Sequence, residues 1–312
     1  MSSAKTIISL ALSYAASNNL IKKCRNKEDS YISLYARGQD YHNVMKQKIK
    51  LLIEYIKKIK QNSKTIFYCD NGNLLEREIA YRAGLGWIGK NNSLINPVYG
   101  SYLFLGEILT NIDLNIDKPI REQCGNCNLC LKNCAGNAFI EPYHLDSEKC
   151  ISYLTQKKGF IPENERVKIG TNLWGCDICL QVCPFNYNIP VDLHPEFKPV
   201  IKGDIIKILN FNKKNINNIW LNSAMTWRGL RILKRNAIIN IGNIGNIDNN
   251  KYIHLLKKTI NNPSPIIRGY SAWALGKIDN ENYYNILSQR LNIEENKDVI
   301  FEIKKAIDII KG

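Results

Sequence analysis

The chain has 312 residues, 45% of them hydrophobic, which is enough to bury a sizeable core and too apolar for a disordered tail. Its 43 lysines and arginines against 28 acidic residues give a formal net charge of +15, which would attract a polyanion such as nucleic acid or an anionic membrane surface; a general richness in Lys, Asn and Ile would raise the charge as well with no partner at all. No apolar run approaches the roughly 18 residues of a membrane span, and the length suggests two or three domains.

The opening "MSSAKTIISLALSYAAS" has a lysine before a short apolar run that ends in small residues, the layout of a signal peptide. The alternation of Ile8, Leu10 and Leu12 fits a buried strand over Thr6 to Tyr14 equally, and the strand is the reading taken. Helical spacing follows in "DYHNVMKQKIKLLIEYIKKIK", then a β-rich "KTIFYCD", then a helix from about Leu74 that stops at Gly84 before a glycine-rich loop. "GSYLFLGEILT" (100–110) reads as another strand, so the first region is mixed α/β and closes near residue 118. Beyond Phe197 come short amphipathic helices broken by Asn, Gly and Pro. "RNAIINIGNIGN" and "RGYSAWALGKIDN" share a Gly-x-Ile element whose glycines, Gly242 and Gly276, lie 34 positions apart, which suggests stacked helical hairpins of the HEAT type.

Of ten cysteines, eight fall between residues 124 and 183, a concentration that favours metal over disulfides. Cys124, Cys127, Cys130 and Cys134 have the C-x2-C-x2-C-x3-C spacing of bacterial two-cluster ferredoxins, where the fourth thiolate serves the other cluster. The reciprocal half is Cys176, Cys179 and Cys183, with Cys150 as its upstream fourth. Crossed pairing assigns Cys124, Cys127, Cys130 and Cys183 to one [4Fe-4S] cluster and Cys134, Cys150, Cys176 and Cys179 to a second. Zinc is the competitor, though structural zinc sites usually pair two shorter knuckles. Pro184 follows the last cysteine of the second half, whereas Ala135 stands in the equivalent place of the first; proline there shapes a turn and ligates nothing. Cys24 and Cys69 fall outside the scheme and read as buried free thiols.

Four stretches, "SLYARGQDYH", "LLEREIAYRAGLGWIGKNNSLINPVYGSYLFLGEILT", "CISYLTQKKGFIP" and "GCDICLQVCPFN", together resemble the epoxyqueuosine reductase family, itself related to reductive dehalogenases. The resemblance runs from about residue 4 to about residue 280. It implies an α+β protein with three domains: a cobalamin-binding catalytic α/β domain (1–118), a ferredoxin-like double [4Fe-4S] domain (119–195) and a HEAT-like helical tRNA-binding domain (196–312). It also implies reduction of epoxyqueuosine to queuosine at the wobble position of a tRNA anticodon, with cobalamin, two clusters and an external electron donor, in a cytoplasmic monomer with no membrane contact.

The residue matching the family's acid is Asp70, and a carboxylic acid kept protonated by an apolar pocket would suit epoxide opening; a turn or helix cap with Asn71 and Gly72 is the plainer alternative. His42 matches a histidine on the substrate side of the cofactor, although an isolated histidine is more often a surface or core residue. Lys90, Asn91 and Ser93, in a loop that resembles the family's cobalamin-lining segment, are implied polar contacts, with Ser33, Tyr102, Ser152 and Thr155 as further ones. Glycines also end helices routinely, so the loop by itself says little. Arg228, Arg231, Lys234 and Arg235 near one helix face, with Lys157 and Lys158, read as contacts to tRNA phosphates or as an ordinary solvated face. Against the family pattern the chain starts several dozen residues late, which is expected to leave an open sheet edge or a weaker cofactor site. A small-molecule reductase of the dehalogenase kind, or an inactive tRNA-binding or electron-carrying remnant, would be the rival readings.

Overall fold

The computed structural model describes residues 1–17, 29–212, 216, 218–245, 250–278 and 283–312. Cys24 lies outside them. The signal-like opening is a strand, β1 (Thr6–Ser13), paired antiparallel with β6 (Leu103–Thr110), whose other edge takes β3 (Thr65–Tyr68). One face of this three-stranded sheet carries α1 (Tyr41–Ile59), where Val44, Met45 and Ile49 are buried at helical spacing against Phe104 and Ile108. The other face presents Leu103, Leu105 and Glu107, alternate residues of β6, toward α2 (Glu76–Arg82). Beyond α2, β4 (Trp87–Ile88) and β5 (Leu94–Ile95) form a tight hairpin built from the glycine-rich loop.

A second small sheet joins distant parts of the chain. β2 (Asp29–Ile32) runs parallel to β9 (Asn172–Trp174) and antiparallel to β10 (Gly203–Asp204). Between them the cysteine segment folds into short pieces: α3 (Leu129–Lys132), the hairpin of β7 (Phe139–Glu141) and β8 (His144–Leu145), α4 (Ile151–Leu154), α5 (Glu163–Ile169) and α6 (Ile178–Gln181). The two cysteine-bearing helices α3 and α6, one from each half of the motif, pack on each other.

The C-terminal part is helical: α7 (Ile205–Asn210), α8 (Asn218–Leu221), α9 (Leu230–Ile244), α10 (Asn250–Thr259), α11 (Pro265–Ile278), α12 (Tyr284–Leu291) and α13 (Lys297–Lys311). The repeated glycines set the stacking. A side chain at Gly242 would meet the Trp273 ring of α11 at 2.4 Å, and one at Gly276 would meet the backbone of Ala306 on α13 at 2.8 Å, so each glycine lets its helix press onto the next but one. One hydrophobic core runs from Ile32 and Ala36 through Leu154, Ile161 and Trp174 into α9, α11 and α13, across the boundary expected at residue 195. Among the described residues no helix is long and apolar enough to cross a membrane.

Candidate active site and cluster-binding thiols

A cleft of about 650 Å³ opens at the end of the first sheet. Its lining includes the aromatic Tyr14, Tyr35, Tyr41 and Phe104 and the polar Asp70, Glu76, Arg77 and Asn92. Asp70 sits just after β3 in a left-handed conformation (φ 52°), which aspartate tolerates better than most residues. It caps no helix: the residue preceding α2 is Leu75, and the first-turn acid Glu76 reaches back to accept from the Asp70 backbone N–H. Its carboxylate accepts from the Tyr41 hydroxyl at 2.5 Å and lies 3.7 Å from Nε2 of His42. Tyr41 is pinned between the rings of His42 and Phe104 at centroid distances of 4.1 and 4.3 Å. Asp40 caps α1 through the His42 N–H and also holds His42 Nδ1 at 2.7 Å, and that hydrogen bond raises the imidazole above its ordinary range. The apolar pocket expected around Asp70 is not there: its side chain is 63% exposed at the mouth of the cleft, because the turn carries it past the end of the strand.

The thiols of Cys124, Cys127, Cys130 and Cys183 line one cavity of about 230 Å³, although Cys183 is far from the others in sequence. Cys134 instead lies in electrostatic range of Cys176 and Cys179 together with Cys150. Both groupings follow from α3 packing on α6. The surroundings suit sulfur that carries negative charge: the Ala138 N–H points to Cys134 Sγ at 3.4 Å, and backbone N–H groups of Leu131, Ile178 and Phe185 serve Cys130, Cys176 and Cys183. The fully buried Trp87 indole N–H has no oxygen or nitrogen acceptor and faces Cys124. Burial pushes the Cys176 thiol up to about 12, so a bound metal must displace its proton. Among the described residues no three ligating side chains converge as they would on a single ion. Ala135 is exposed in its turn, where the Asn137 N–H still bonds to the Cys134 carbonyl at 2.9 Å; Pro184 opens a 3-10 turn.

Several residues expected at the cofactor or at tRNA have partners within the protein. Ser33 is 1% exposed and donates to Asp177 at 2.5 Å; Asp177 also accepts from the Tyr31 hydroxyl and the Leu34 N–H, which ties the first region to the cysteine segment. Thr155 is fully buried, donating to the Ser152 carbonyl and accepting from Gly175 N–H. The Lys90 ammonium turns to the Gly125 and Cys127 carbonyls beside the first thiol cavity, and Asn91 is buried with its amide toward the Cys179 carbonyl. Tyr102 is buried edge-on to Tyr14, while Ser93 and Ser152 are half-buried outside the cleft wall. Arg235 is fully buried, its guanidinium on the Leu154, Thr155 and Lys157 carbonyls, so it faces away from solvent. Lys157 pairs with Glu148 at 2.5 Å. Arg231 and Lys158 are exposed, Lys234 is half-buried, and Arg228 stacks 3.7 Å over the exposed Trp227 ring. Cys69 is a buried free thiol, as expected.

Residues 1–71 match the family described as epoxyqueuosine reductase QueG, DUF1730, and residues 123–186 match the 4Fe-4S double cluster binding domain. The epoxyqueuosine reductase of Bacillus subtilis strain 168 is 35% identical over 99% of this chain and 81% of its own length. The chain belongs to the epoxyqueuosine reductase family. Two solved members of that family make the same point in three dimensions. A crystal structure of the enzyme with a tRNA-TYR epoxyqueuosine-modified tRNA stem loop has a TM-score of 0.93 at 34% identity, over 99% of this chain and 83% of that one. The B. subtilis enzyme, in a structure whose aspartate catalytic loop is swung out of the active site, scores 0.92 at 34% identity, covering 99% and 82%. Within this family member, sequence reading missed Tyr41, Asp40, Glu76, Trp87, Asp177 and Trp227. Only two of these left a local sign: the Asp-x-His pattern of a helix cap, and an acid in the first turn after the Asp70 loop.

Proposed function

We propose that this chain reduces epoxyqueuosine to queuosine at the wobble position of a tRNA anticodon, using two [4Fe-4S] clusters and cobalamin in the cytoplasm. The observation that carries the reading is Asp70, the aspartate of the cleft wall, held in a left-handed turn with its carboxylate against Tyr41 and His42. Cys124, Cys127, Cys130 and Cys183 would hold one cluster, and Cys134, Cys150, Cys176 and Cys179 the other. The aromatic side chains of Tyr14, Tyr35 and Phe104, with Ile88 and Asn92 from the glycine-rich hairpin, line a cleft with room and apolar surface for a large macrocycle such as cobalamin. When bound, cobalamin supplies the low-potential electrons that carbon–oxygen cleavage needs.

The protein's own part is proton management. Opening the epoxide leaves an alkoxide, and Asp70 donates to it from a carboxyl oriented by the Tyr41 hydroxyl. His42, fixed by Asp40 and raised in pKa by that contact, returns a proton to Asp70 from Nε2. Residues 1–118 would form the cofactor domain, 119–195 the cluster domain, and 196–312 a HEAT-like module. Its exposed Arg231 and the Arg228–Trp227 stack would meet RNA phosphates and bases, with Lys158 beside them. An external carrier supplies the electrons, and the chain acts as a monomer. Asp70→Asn tests the reading: turnover falls by about a hundredfold or more while the iron and cobalamin absorption spectra stay unchanged. A variant at the wild-type rate means another group is the acid.

A further inference from the structure

Behind the Asp70 turn lies a carboxyl group with no donor. Glu107, in the middle of β6, is 0% exposed, and neither of its side-chain oxygens has a hydrogen-bond partner. Its register neighbours are Ser9 on β1 and Tyr68 on β3, and neither brings it a positive charge. From α2 it is faced by Glu76, the carboxylate that holds the Asp70 backbone N–H and lines the cleft. Cys69 and Asp70 at the end of β3, and Asp40 and His42 around the start of α1, complete the titratable surroundings of the pair. Glu107 is buried with no cation or donor beside it and faces the half-buried Glu76, so a direct bond between the two carboxyl groups needs a shared proton.

Loss of an epoxide oxygen as water breaks two C–O bonds, forms one C=C bond, and consumes two electrons and two protons. Asp70 supplies one proton as the ring opens, and a second is needed when the resulting hydroxyl leaves. We propose that Glu107 and Glu76 hold that second proton between them, with Glu76 presenting it at the cleft and Glu107 acting as a positioning residue behind it. This rests on the epoxide-reduction reading and on Asp70 as the first donor. The electrons come from the external reductant, dithionite in the test below. Burial, and then Glu76, push Glu107 up to about 8, so the pair keeps its proton at neutral pH and loses it in alkali.

The test is infrared spectroscopy of the cluster-loaded protein at pH 7 in H2O and D2O, followed by dithionite-driven turnover. The wild type shows a carboxylic-acid carbonyl band that shifts in D2O and is missing in Glu107→Gln, which keeps the shape and an amide donor toward Glu76. Glu107→Gln lowers kcat at least tenfold, leaves the KM for tRNA unchanged, and flattens the decline in rate above about pH 8 that the wild type shows. Should that variant misfold, Glu76→Gln at the cleft wall lowers kcat by the same factor with the KM for tRNA unchanged. Its carbonyl band shifts rather than vanishes, because buried Glu107 keeps its proton without its carboxylate partner. Absence of the band in wild type, or a band with wild-type kcat in Glu107→Gln, overturns the proposal. A full rate in Asp70→Asn instead removes the reading on which it rests, while the infrared result stands by itself.

Discussion

Arg235 in the helical layer and Glu107 behind the cleft are equally buried, yet Arg235 gives its guanidinium to three carbonyls of the cysteine segment while Glu107 meets no donor. Arg166 behaves like Arg235: it pairs inside the core with Glu302 and stacks on Tyr270 at 4.7 Å. Full satisfaction marks a side chain that fastens helices to the cysteine segment. An unsatisfied acid such as Glu107, or one in a left-handed turn such as Asp70, stands instead where the proposed proton transfers would take place.

The comparison can be broken most forcefully at the arginines. Arg235→Met strands three buried carbonyls and costs about 3 kcal/mol of stability, read as a lower denaturant midpoint, without changing the tRNA affinity of the protein that remains folded. Arg231→Glu, on the same helix but exposed, leaves the midpoint alone and weakens tRNA binding several-fold, an effect that fades as salt rises. If the two variants exchanged effects, burial would not separate architecture from recognition here.

A finer test uses pH. The folded-state value of Glu107, about 8, lies above its ordinary 4.5, so this group's contribution to stability is lost as pH rises between those values and adds no pH dependence beyond them. Glu107→Gln lacks that loss, and its stability relative to wild type climbs through the same window. A constant difference across it would mean that Glu107 is already ionised in the fold.

The cysteine spacing was legible because ferredoxin-like turns are local, and β1, α1, β3 and β6 were legible from period alone. What the sequence left hidden depended on partners far along the chain. The spacing of Arg228, Arg231, Lys234 and Arg235 defines an arc on a helix, but only the packed Leu154–Lys157 segment decides that Arg235 lies on its inner edge. Ser33 was read as a cofactor contact, and its hydrogen bond to Asp177, 144 residues away, left no sign in the sequence. Glu107 was not singled out in the strand "LFLGEILT", because its meaning needs the Glu76 side chain from α2.

The central claim is the reaction itself. The protein should be reconstituted anaerobically with iron, sulfide and cobalamin, then incubated with epoxyqueuosine-containing tRNA and dithionite, with nucleosides read by mass spectrometry and metals quantified in the same sample. The account predicts queuosine, with iron for two clusters and one cobalt per chain. Full iron and cobalt with epoxyqueuosine left intact would contradict it.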